Sequence, residues 1–160
     1  MKGMLKAIDI DLQEKLPTFD ELLGDLSTQE LKDFSVISEE VKLAAGTVVF
    51  SEGTTGDYLY IIADGQIGIY QTNAQTGRQV EIARLGKGNI LGDMAFLVEK
   101  FHSATCKAIV DSVCYRISRR SFQEMEKENL RLCYKLILAI TKVLSYRLKK
   151  RNQQLSAKIG

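Results

Sequence analysis

The stretch Gly56-Asp-Tyr-Leu-Tyr-Ile-Ile-Ala-Asp-Gly-Gln-Ile-Gly-Ile-Tyr70 decides the fold class of this 160-residue chain. Two short apolar runs lie on either side of Asp64-Gly65, a dipeptide that favours a tight turn between strands, so the stretch predicts a β-hairpin. Glycines separate further short apolar runs from Val41 to Ile117, a pattern that opposes helix because each interior glycine costs about 1 kcal/mol relative to alanine. We therefore predict a sandwich, roll or barrel of short strands over this region.

Two local signals mark the ends of individual elements. Ser27 followed by Glu30 has the spacing of a capping box, in which the side chain of each residue accepts the backbone N–H of the other, and it predicts a helix from Thr28. The polar, glycine-containing segment from Asn73 to Gly77 separates two apolar runs and predicts a second hairpin. Together these signals indicate a mainly β domain with flanking helices.

The last part of the chain predicts a long helix with an apolar stripe, because apolar residues recur there every three or four positions. The stripe is wide enough to pack on the β region or against a second copy of the chain, and we expect the second arrangement, a homodimer. The expected seam residues are Leu130, Cys133, Ile137, Ile140, Leu144 and Leu148. We accordingly divide the chain into an N-terminal helical extension (1–26), a β domain (27–128) and a C-terminal helix (129–160).

The charges of the chain are unevenly distributed, although its net charge is only +2. All 20 acidic residues precede Asn129, whereas the residues from Asn129 onwards include eight Lys and Arg. Such a block suits the negative C-terminal end of a helix dipole, and it is also compatible with an acidic partner or a nucleic acid. We favour a solvated helix face and expect no nucleic-acid partner.

Composition disfavours several functional classes. No run of about 18 apolar residues is present, so no membrane span is expected. The three cysteines, Cys106, Cys114 and Cys133, lack tight spacing and predict free thiols in a reducing, cytoplasmic compartment. The single histidine, His102, disfavours catalytic imidazole pairs and multi-histidine metal sites, so we expect neither an enzyme nor a metal or other firm cofactor.

The candidate site lies in Leu85-Gly-Lys-Gly-Asn-Ile-Leu-Gly-Asp-Met-Ala-Phe-Leu97, followed by His102-Ser-Ala-Thr105. A glycine directly before the first turn of a short helix lets backbone amides approach an anion, and Asp93 in that turn can accept a hydrogen bond from a ligand hydroxyl. The same pattern also fits a strand-to-helix corner that binds nothing. The motif alone leaves both interpretations open.

With its surroundings, this motif resembles the cyclic-nucleotide-binding domains of protein kinase A regulatory subunits, catabolite activator proteins and cyclic-nucleotide-gated channels. The resemblance runs from about Leu26 to about Leu148. Its further blocks, in the family order, are Gly46-Thr-Val-Val-Phe-Ser-Glu-Gly53, Gly56-Asp-Tyr-Leu-Tyr-Ile-Ile62, Asp64-Gly65 and Gly86-Lys-Gly88. The resemblance implies an eight-stranded, jelly-roll-like β-roll with an N-terminal helix, a long C-terminal helix that acts as a lid, and a regulatory role in signal transduction.

The resemblance also implies a site for the phosphate and ribose of the nucleotide, with two departures from the family pattern. Asp93 stands where the family has the glutamate that holds the ribose 2′-hydroxyl, and His102 stands where it has the arginine that clamps the phosphate. A histidine lacks the planar fork and permanent charge of arginine, and the missing contact lowers affinity roughly 10- to 150-fold. The implied phosphate and ribose residues are Gly92, Asp93, Met94, Ala95, His102, Ser103 and Ala104.

On the base side, the resemblance places the ligand against strands and the lid helix. The residues expected there are Val80, Ile82, Leu91, Arg147 and Arg151. Lys100 lies two positions before His102 and is a candidate substitute for the missing arginine. The related activators carry a DNA-binding domain after the long helix, and the sequence ends at Gly160, so we do not expect a transcription regulator. Two functions stay open: a module that binds cAMP, cGMP or a related nucleotide weakly, and a degenerate β-roll that binds none and serves as a dimerising or partner-binding module.

Overall fold

A computed structural model describes residues 24–159 of the chain. In chain order its elements are α1 (Thr28–Ile37), β1 (Ser38–Leu43), β2 (Val48–Phe50), β3 (Tyr58–Asp64), β4 (Gln66–Thr72), β5 (Gln79–Gly86), β6 (Ile90–Leu91), α2 (Asp93–Leu97), β7 (Thr105–Ala108), β8 (Ser112–Ser118), α3 (Arg119–Glu128) and α4 (Leu130–Ile159). The predicted extension over 1–26 lies outside the described residues except for its last three, and Gly160 lies outside them too. Within the described part of the chain, none of the helices combines the length and hydropathy that a membrane span needs.

The eight strands form two antiparallel sheets of four strands, with the orders β1-β8-β3-β6 and β2-β7-β4-β5. This arrangement, with a helix before the strands and a long helix after them, confirms the predicted β-roll class. Strand β3 is buried on both faces: Leu59 and Ile61 belong to the core beneath the helices, whereas Tyr60 and Ile62 belong to the core that both sheets share. Because side chains alternate along a strand, burial on both faces explains why its apolar run is continuous.

The chain turns from one sheet into the other at Asp64-Gly65, so the hairpin predicted at this dipeptide is wrong. Strand β3 pairs with β6 and β8, whereas β4 pairs with β5 and β7. Gly65 has a φ of +92°, and a Cβ at this position would lie 2.2 Å from Ser112 Oγ, so glycine is required at the crossing. A glycine turn between two apolar runs marks a change of direction, but it does not decide whether the flanking strands pair.

The second predicted hairpin is confirmed, since β4 and β5 pair from Gln66 opposite Gly86 to Thr72 opposite Gln79. The side-chain oxygen of Asn73 accepts the backbone N–H groups of Gln75 and Thr76 at 2.9 and 3.0 Å. These bonds lie within the turn segment itself, which is why the sequence was sufficient to locate it.

The capping box at the start of α1 is also confirmed and joins α1 to α4. Ser27 Oγ accepts the N–H of Glu30, and a carboxylate oxygen of Glu30 accepts the N–H of Ser27 at 2.8 Å. The same carboxylate lies 2.7 Å from Lys135 Nζ and 3.3 Å from Arg131 Nε on α4. The hydrogen bond from Lys135 and that from the Ser27 backbone lower the pKa of Glu30 from 4.5 to about 2.

The apolar stripe of α4 packs mainly on the chain itself, which corrects part of the predicted dimer seam. Cys133 and Ile140, two of the six seam residues, are only 7% and 6% exposed and lie in the core beneath the helices. They follow the face of α4 that also carries Leu132, Leu136 and Val143, and that face covers the β-roll. The remaining seam residues are Leu130, Ile137 and Leu148, which are exposed, and Leu144, which is half-buried.

Candidate ligand-binding site

A cavity of about 640 Å³ lies between the β-roll, α2 and the second half of α4, and this volume is typical of small-molecule sites. The β-roll supplies a largely apolar wall that includes Phe50, Ile69, Ile82, Leu85 and Leu91. Helix α4 covers the opposite side with Leu144, Arg147, Leu148, Lys150, Arg151 and Gln154. Polar groups are therefore concentrated near α2 and on α4, while the floor between them is apolar.

The structure brings the predicted phosphate and ribose residues together. Lining the cavity are Gly92, Asp93, Met94, Ala95, His102, Ser103 and Ala104. Four of the five residues predicted on the base side line it as well, namely Ile82, Leu91, Arg147 and Arg151. A cavity large enough for a small ligand is thus present among residues 24–159, and the described side chains do not fill it.

Two residues considered from the sequence lie outside the cavity. Val80 is 44% exposed, sits opposite Gln71 near the tip of the β4–β5 hairpin and does not line the cavity, so its base-side role remains a prediction that the cavity does not support. Lys100 is exposed, and its Nζ lies 5.6 Å from the centre of the Phe101 ring. Lys100 therefore does not replace the missing arginine in this arrangement.

The turn from β6 into α2 requires glycine at position 92. Gly92 is the N-cap of α2 and has a φ of +74°. A Cβ there would lie 3.1 Å from the carbonyl oxygen of Tyr58 and 3.2 Å from His102 Cε1, so a side chain would strain the backbone and press on the imidazole. The turn places Asp93, the next residue, at the cavity.

Helix α2 is only five residues long, and Arg119 holds it in place. The guanidinium of Arg119 donates to the carbonyl oxygens of Phe96 and Gly56 at 2.7 Å and to that of Ala95 at 3.1 Å. A Cβ on Gly56 would lie 2.4 Å from the Cβ of Ala95, so glycine permits this close approach. No sequence signal pointed to Arg119, because its acceptors are backbone carbonyls 23 to 63 residues away.

His102 forms part of the cavity wall as a buried aromatic ring. Its imidazole is 6% exposed and stacks on Phe50, with ring centres 3.7 Å apart and planes 11° from parallel. The backbone of His102 bonds to the segment after β2: its N–H donates to the carbonyl of Thr54, and its carbonyl accepts from the N–H of Gly53. Burial lowers the pKa of His102 below its ordinary value, and the carboxylate of Asp57 acts in the opposite direction. The ring is therefore uncharged at neutral pH.

Asp93 faces a cation from the lid helix. Arg147 Nη1 lies 3.6 Å from Asp93 Oδ1, while Nη2 donates to the carbonyl oxygen of Ile90 at 2.7 Å and to Asn89 Oδ1 at 3.2 Å. Asn89 is fully buried and donates in turn to the carbonyl of Gly86. Arg147 was predicted near the base, and the structure places it beside the carboxylate expected to hold the ribose.

The three cysteines are buried and unpaired. Burial raises the pKa of Cys106, which lines the cavity, to about 12 and that of Cys114 to about 11, so both are neutral thiols at physiological pH. Between residues 24 and 159, no three histidine, cysteine or acidic side chains converge as metal ligands. The cavity offers a small molecule an apolar wall and a few polar groups.

Comparison with known proteins identifies the same kind of domain. The family model for the cyclic nucleotide-binding domain matches residues 40–129. The cAMP-dependent protein kinase regulatory subunit of Candida albicans is 28% identical over 126 residues, which cover 77% of this chain and 26% of that protein. The cGMP-dependent protein kinase, isozyme 1, of Drosophila melanogaster is 29% identical over 106 residues, which cover 65% of this chain and 14% of that protein.

Solved structures share the fold. A cyclic nucleotide-binding domain from Methylobacillus flagellatus superposes with a TM-score of 0.76 at 22% identity, covering 95% of this chain and 83% of that one. The chain spans about a quarter of the length of the two regulatory subunits that it matches, those of Candida albicans and Blastocladiella emersonii. The sequence blocks, the two-sheet roll and the family match over residues 40–129 agree, and the chain belongs to the cyclic nucleotide-binding domain family.

Proposed function

We propose that this chain is a non-enzymatic regulatory module that binds a cyclic nucleotide, cAMP or cGMP, in the cavity between α2 and α4. The observation that carries the proposal is the open cavity of about 640 Å³, which the residues at the family's phosphate and ribose positions line together. The ligand class is supported by the relatives, which are described as cAMP- and cGMP-dependent kinases or their subunits.

Binding is expected to be weak because two polar groups of the site are altered. His102 is a neutral ring stacked on Phe50 and does not present the guanidinium fork that the family uses. Asp93 has one methylene fewer than glutamate and faces Arg147. Loss of one charge-assisted contact lowers affinity roughly 10- to 150-fold, which leaves the pocket usable.

Isothermal titration calorimetry with cAMP and cGMP tests the proposal. We expect saturable binding by the wild-type chain and roughly 10- to 150-fold tighter binding by His102→Arg, because the variant adds a permanent charge to the cavity wall. Lys100→Gln is the matched control: it removes a cation two residues away that does not line the cavity, and the affinity should not change.

The same titrations decide between the two functions left open by the sequence. No binding by the wild type, together with binding by the double variant Asp93→Glu, His102→Arg, would identify a degenerate β-roll. If the double variant also fails to bind, the assignment of the pocket residues is wrong.

We further propose that the chain forms a homodimer through the outer face of α4. The exposed residues of this face recur at alternating intervals of four and three, which is the a/d spacing of a coiled coil. They are Tyr134, Leu138, Thr141, Ser145, Leu148, Asn152, Leu155 and Ile159. Only Leu148 belongs also to the seam expected from the sequence, because the other face of the helix is used to cover the β-roll.

Charge favours a parallel arrangement of the two helices. In a parallel pair, Leu144 would flank Lys149 of the second copy, and Arg151 would flank Ser156 of the second copy, so no two like charges meet across the seam. In an antiparallel pair, residues such as Lys149 or Arg151 would face cations of the second copy. Asn152 occupies an a position, where paired asparagines specify the register of parallel dimers.

Sedimentation velocity over a range of concentrations tests the dimer. Leu148→Lys should shift the chain to monomer, because it replaces an apolar seam residue with a charge. Leu130→Lys is the matched control, since Leu130 is also exposed but precedes Tyr134, the first residue of the proposed seam, and the variant should remain dimeric. A monomeric wild type, or equal dissociation by both variants, would contradict this seam.

A further inference from the structure

The cations that line the cavity all lie on the lid helix. Among the described residues they are Arg147, Lys150 and Arg151, whereas the β-roll contributes the uncharged ring of His102. The distribution of charge is therefore reversed relative to a site whose arginine projects from the roll. An anionic ligand in this cavity would find its positive charge on α4.

Arg147 is the innermost of these cations, and its contacts are incomplete. Its Nη2 is held by the carbonyl of Ile90 and by Asn89, but Nη1 lies 3.6 Å from Asp93, beyond hydrogen-bond distance. The Nε–H is buried and has no acceptor among residues 24–159. A buried guanidinium donor without an acceptor is costly, so the contacts within the chain satisfy this side chain only in part.

The neighbours of Arg147 hold its guanidinium in position. Asn89 has no exposed surface and is itself anchored to Gly86, so it fixes one nitrogen of the guanidinium at the junction of β6 and α4. Of the remaining nitrogens, Nη1 faces Asp93 and Nε has no hydrogen-bond partner among the described residues. A guanidinium that is partly satisfied and held by a buried amide is suited to bind an anion with its free donors.

We infer that Arg147, rather than His102, supplies the positive charge that binds the phosphate of the ligand. The inference rests on the proposed function only in taking a phosphate-bearing nucleotide as the ligand. Its consequence is that the ligand's anion joins the second half of α4 directly to the cavity. Asp93 then competes with the phosphate for the same guanidinium until a ligand hydroxyl engages the carboxylate.

Calorimetric titration with cAMP, 5′-AMP and uncharged adenosine tests this inference. Arg147→Gln should weaken binding of cAMP roughly 10- to 150-fold while leaving the affinity for adenosine within about threefold, because only the phosphate contact is lost. Arg147→Lys, which keeps the charge without the fork, should recover part of the loss. His102→Gln should change the affinity for cAMP by less than about threefold, the spread expected for a context-dependent neutral contact.

Lys142→Gln is the matched control for these variants. It removes one cation from α4 at an exposed position that does not line the cavity, and it should leave all three affinities unchanged. Thermal unfolding of each variant should show one cooperative transition near that of the wild type, so that a lost affinity is not a lost fold.

The outcomes separate this inference from the proposed function. If cAMP binds and its affinity depends on His102 but not on Arg147, the inference is overturned and the proposed function stands. If cAMP fails to bind but 5′-AMP binds in a manner that depends on Arg147, the proposed function fails and the inference stands. If no phosphate-bearing probe binds, both are overturned.

Discussion

The two halves of α4 are attached to the rest of the chain in different ways. The first half places Leu132, Leu136, Ile140 and Val143 in the core beneath the helices. In the second half, from Leu144 to Ile159, the described residues contribute only the partly buried Leu144 and Tyr146 to that core, and Arg147 makes the hydrogen bonds to the β-roll. One helix is therefore anchored by apolar packing over its first four turns and held by polar contacts at the cavity thereafter.

This difference separates what stabilises the fold from what can respond to a ligand. Apolar contacts in a closed core are the same whether or not the cavity is filled. Polar contacts inside the cavity can be exchanged for those of a ligand, since a phosphate or hydroxyl can replace the groups that Arg147 and Asp93 now offer each other. We expect ligands to act on the second half of α4 and the first half to remain docked.

The largest expected effect comes from the anchored half. Leu136→Ala should lower the free energy of unfolding by about 2–5 kcal/mol, because it leaves a cavity in a closed core. Urea denaturation measures the change. Leu130→Ala, at an exposed position of the same helix outside the proposed seam, is the control and should change stability by less than about 0.5 kcal/mol. Equal losses for both variants would mean that α4 is not docked by this face.

The next largest effect on stability is expected from Arg119, which holds α2 in place beside the cavity. Arg119→Met should cost about 1.5–3 kcal/mol, because it removes charged hydrogen bonds to three carbonyls around α2. Arg120→Met is a close control: this neighbour is exposed and pairs with the exposed Glu124 one turn away, so the loss should stay below about 0.5 kcal/mol. Hydrogen exchange should also accelerate in α2 for the first variant alone, and unchanged exchange there would contradict the role given to Arg119.

The link between α1 and the anchored half should depend on pH. The folded chain holds the pKa of Glu30 near 2, below its ordinary value of 4.5, so its carboxylate stabilises the fold above about pH 4.5 and this contribution is lost as the pH falls towards 2. Glu30→Gln should therefore be less stable than the wild type at pH 7 and equally stable at about pH 2. Denaturant titrations across this pH range measure the difference in free energy of unfolding between the two proteins. A difference that does not change with pH would show that the ion pair is not the cause.

The smallest effect is expected from the polar contact of the second half. Arg147→Met should change the free energy of unfolding by less than about 1 kcal/mol, because losing the hydrogen bonds to Asn89 and Ile90 is offset by removing a buried guanidinium that has one donor unsatisfied and a long ion pair. Thermal denaturation without ligand measures this. A loss as large as that of Leu136→Ala would erase the distinction between the two halves.

The predictions from the sequence were correct where the interactions join residues close in the chain, and they failed where the interactions join distant residues. The capping box at Ser27 and the hairpin after Asn73 depend on bonds within three residues and were predicted correctly. The turn at Gly65 was assigned to the wrong kind of connection, because pairing of β3 and β4 was decided by β8 and β7, more than 30 residues away. The same limit applied to α4, whose periodicity showed an apolar face without showing which surface covers it.

The candidate site divides in the same way. Motif spacing located the residues from Gly92 to Ala95 and from His102 to Ala104, and the structure places all of them on one cavity. Arg119, Asn89 and Phe50 carried no motif, since each acts on groups remote in the chain.

The amino-acid sequence by itself determined the β-roll class, the positions of the glycine turns, the altered residue types at positions 93 and 102, and the concentration of cations after Asn129. These follow from residue identity and short-range spacing. Only the tertiary structure decided that His102 is an uncharged ring against Phe50 and that Arg147 reaches Asp93 across the cavity. Burial and ion pairing depend on which distant segments meet, and that is settled when the two sheets and α4 pack together.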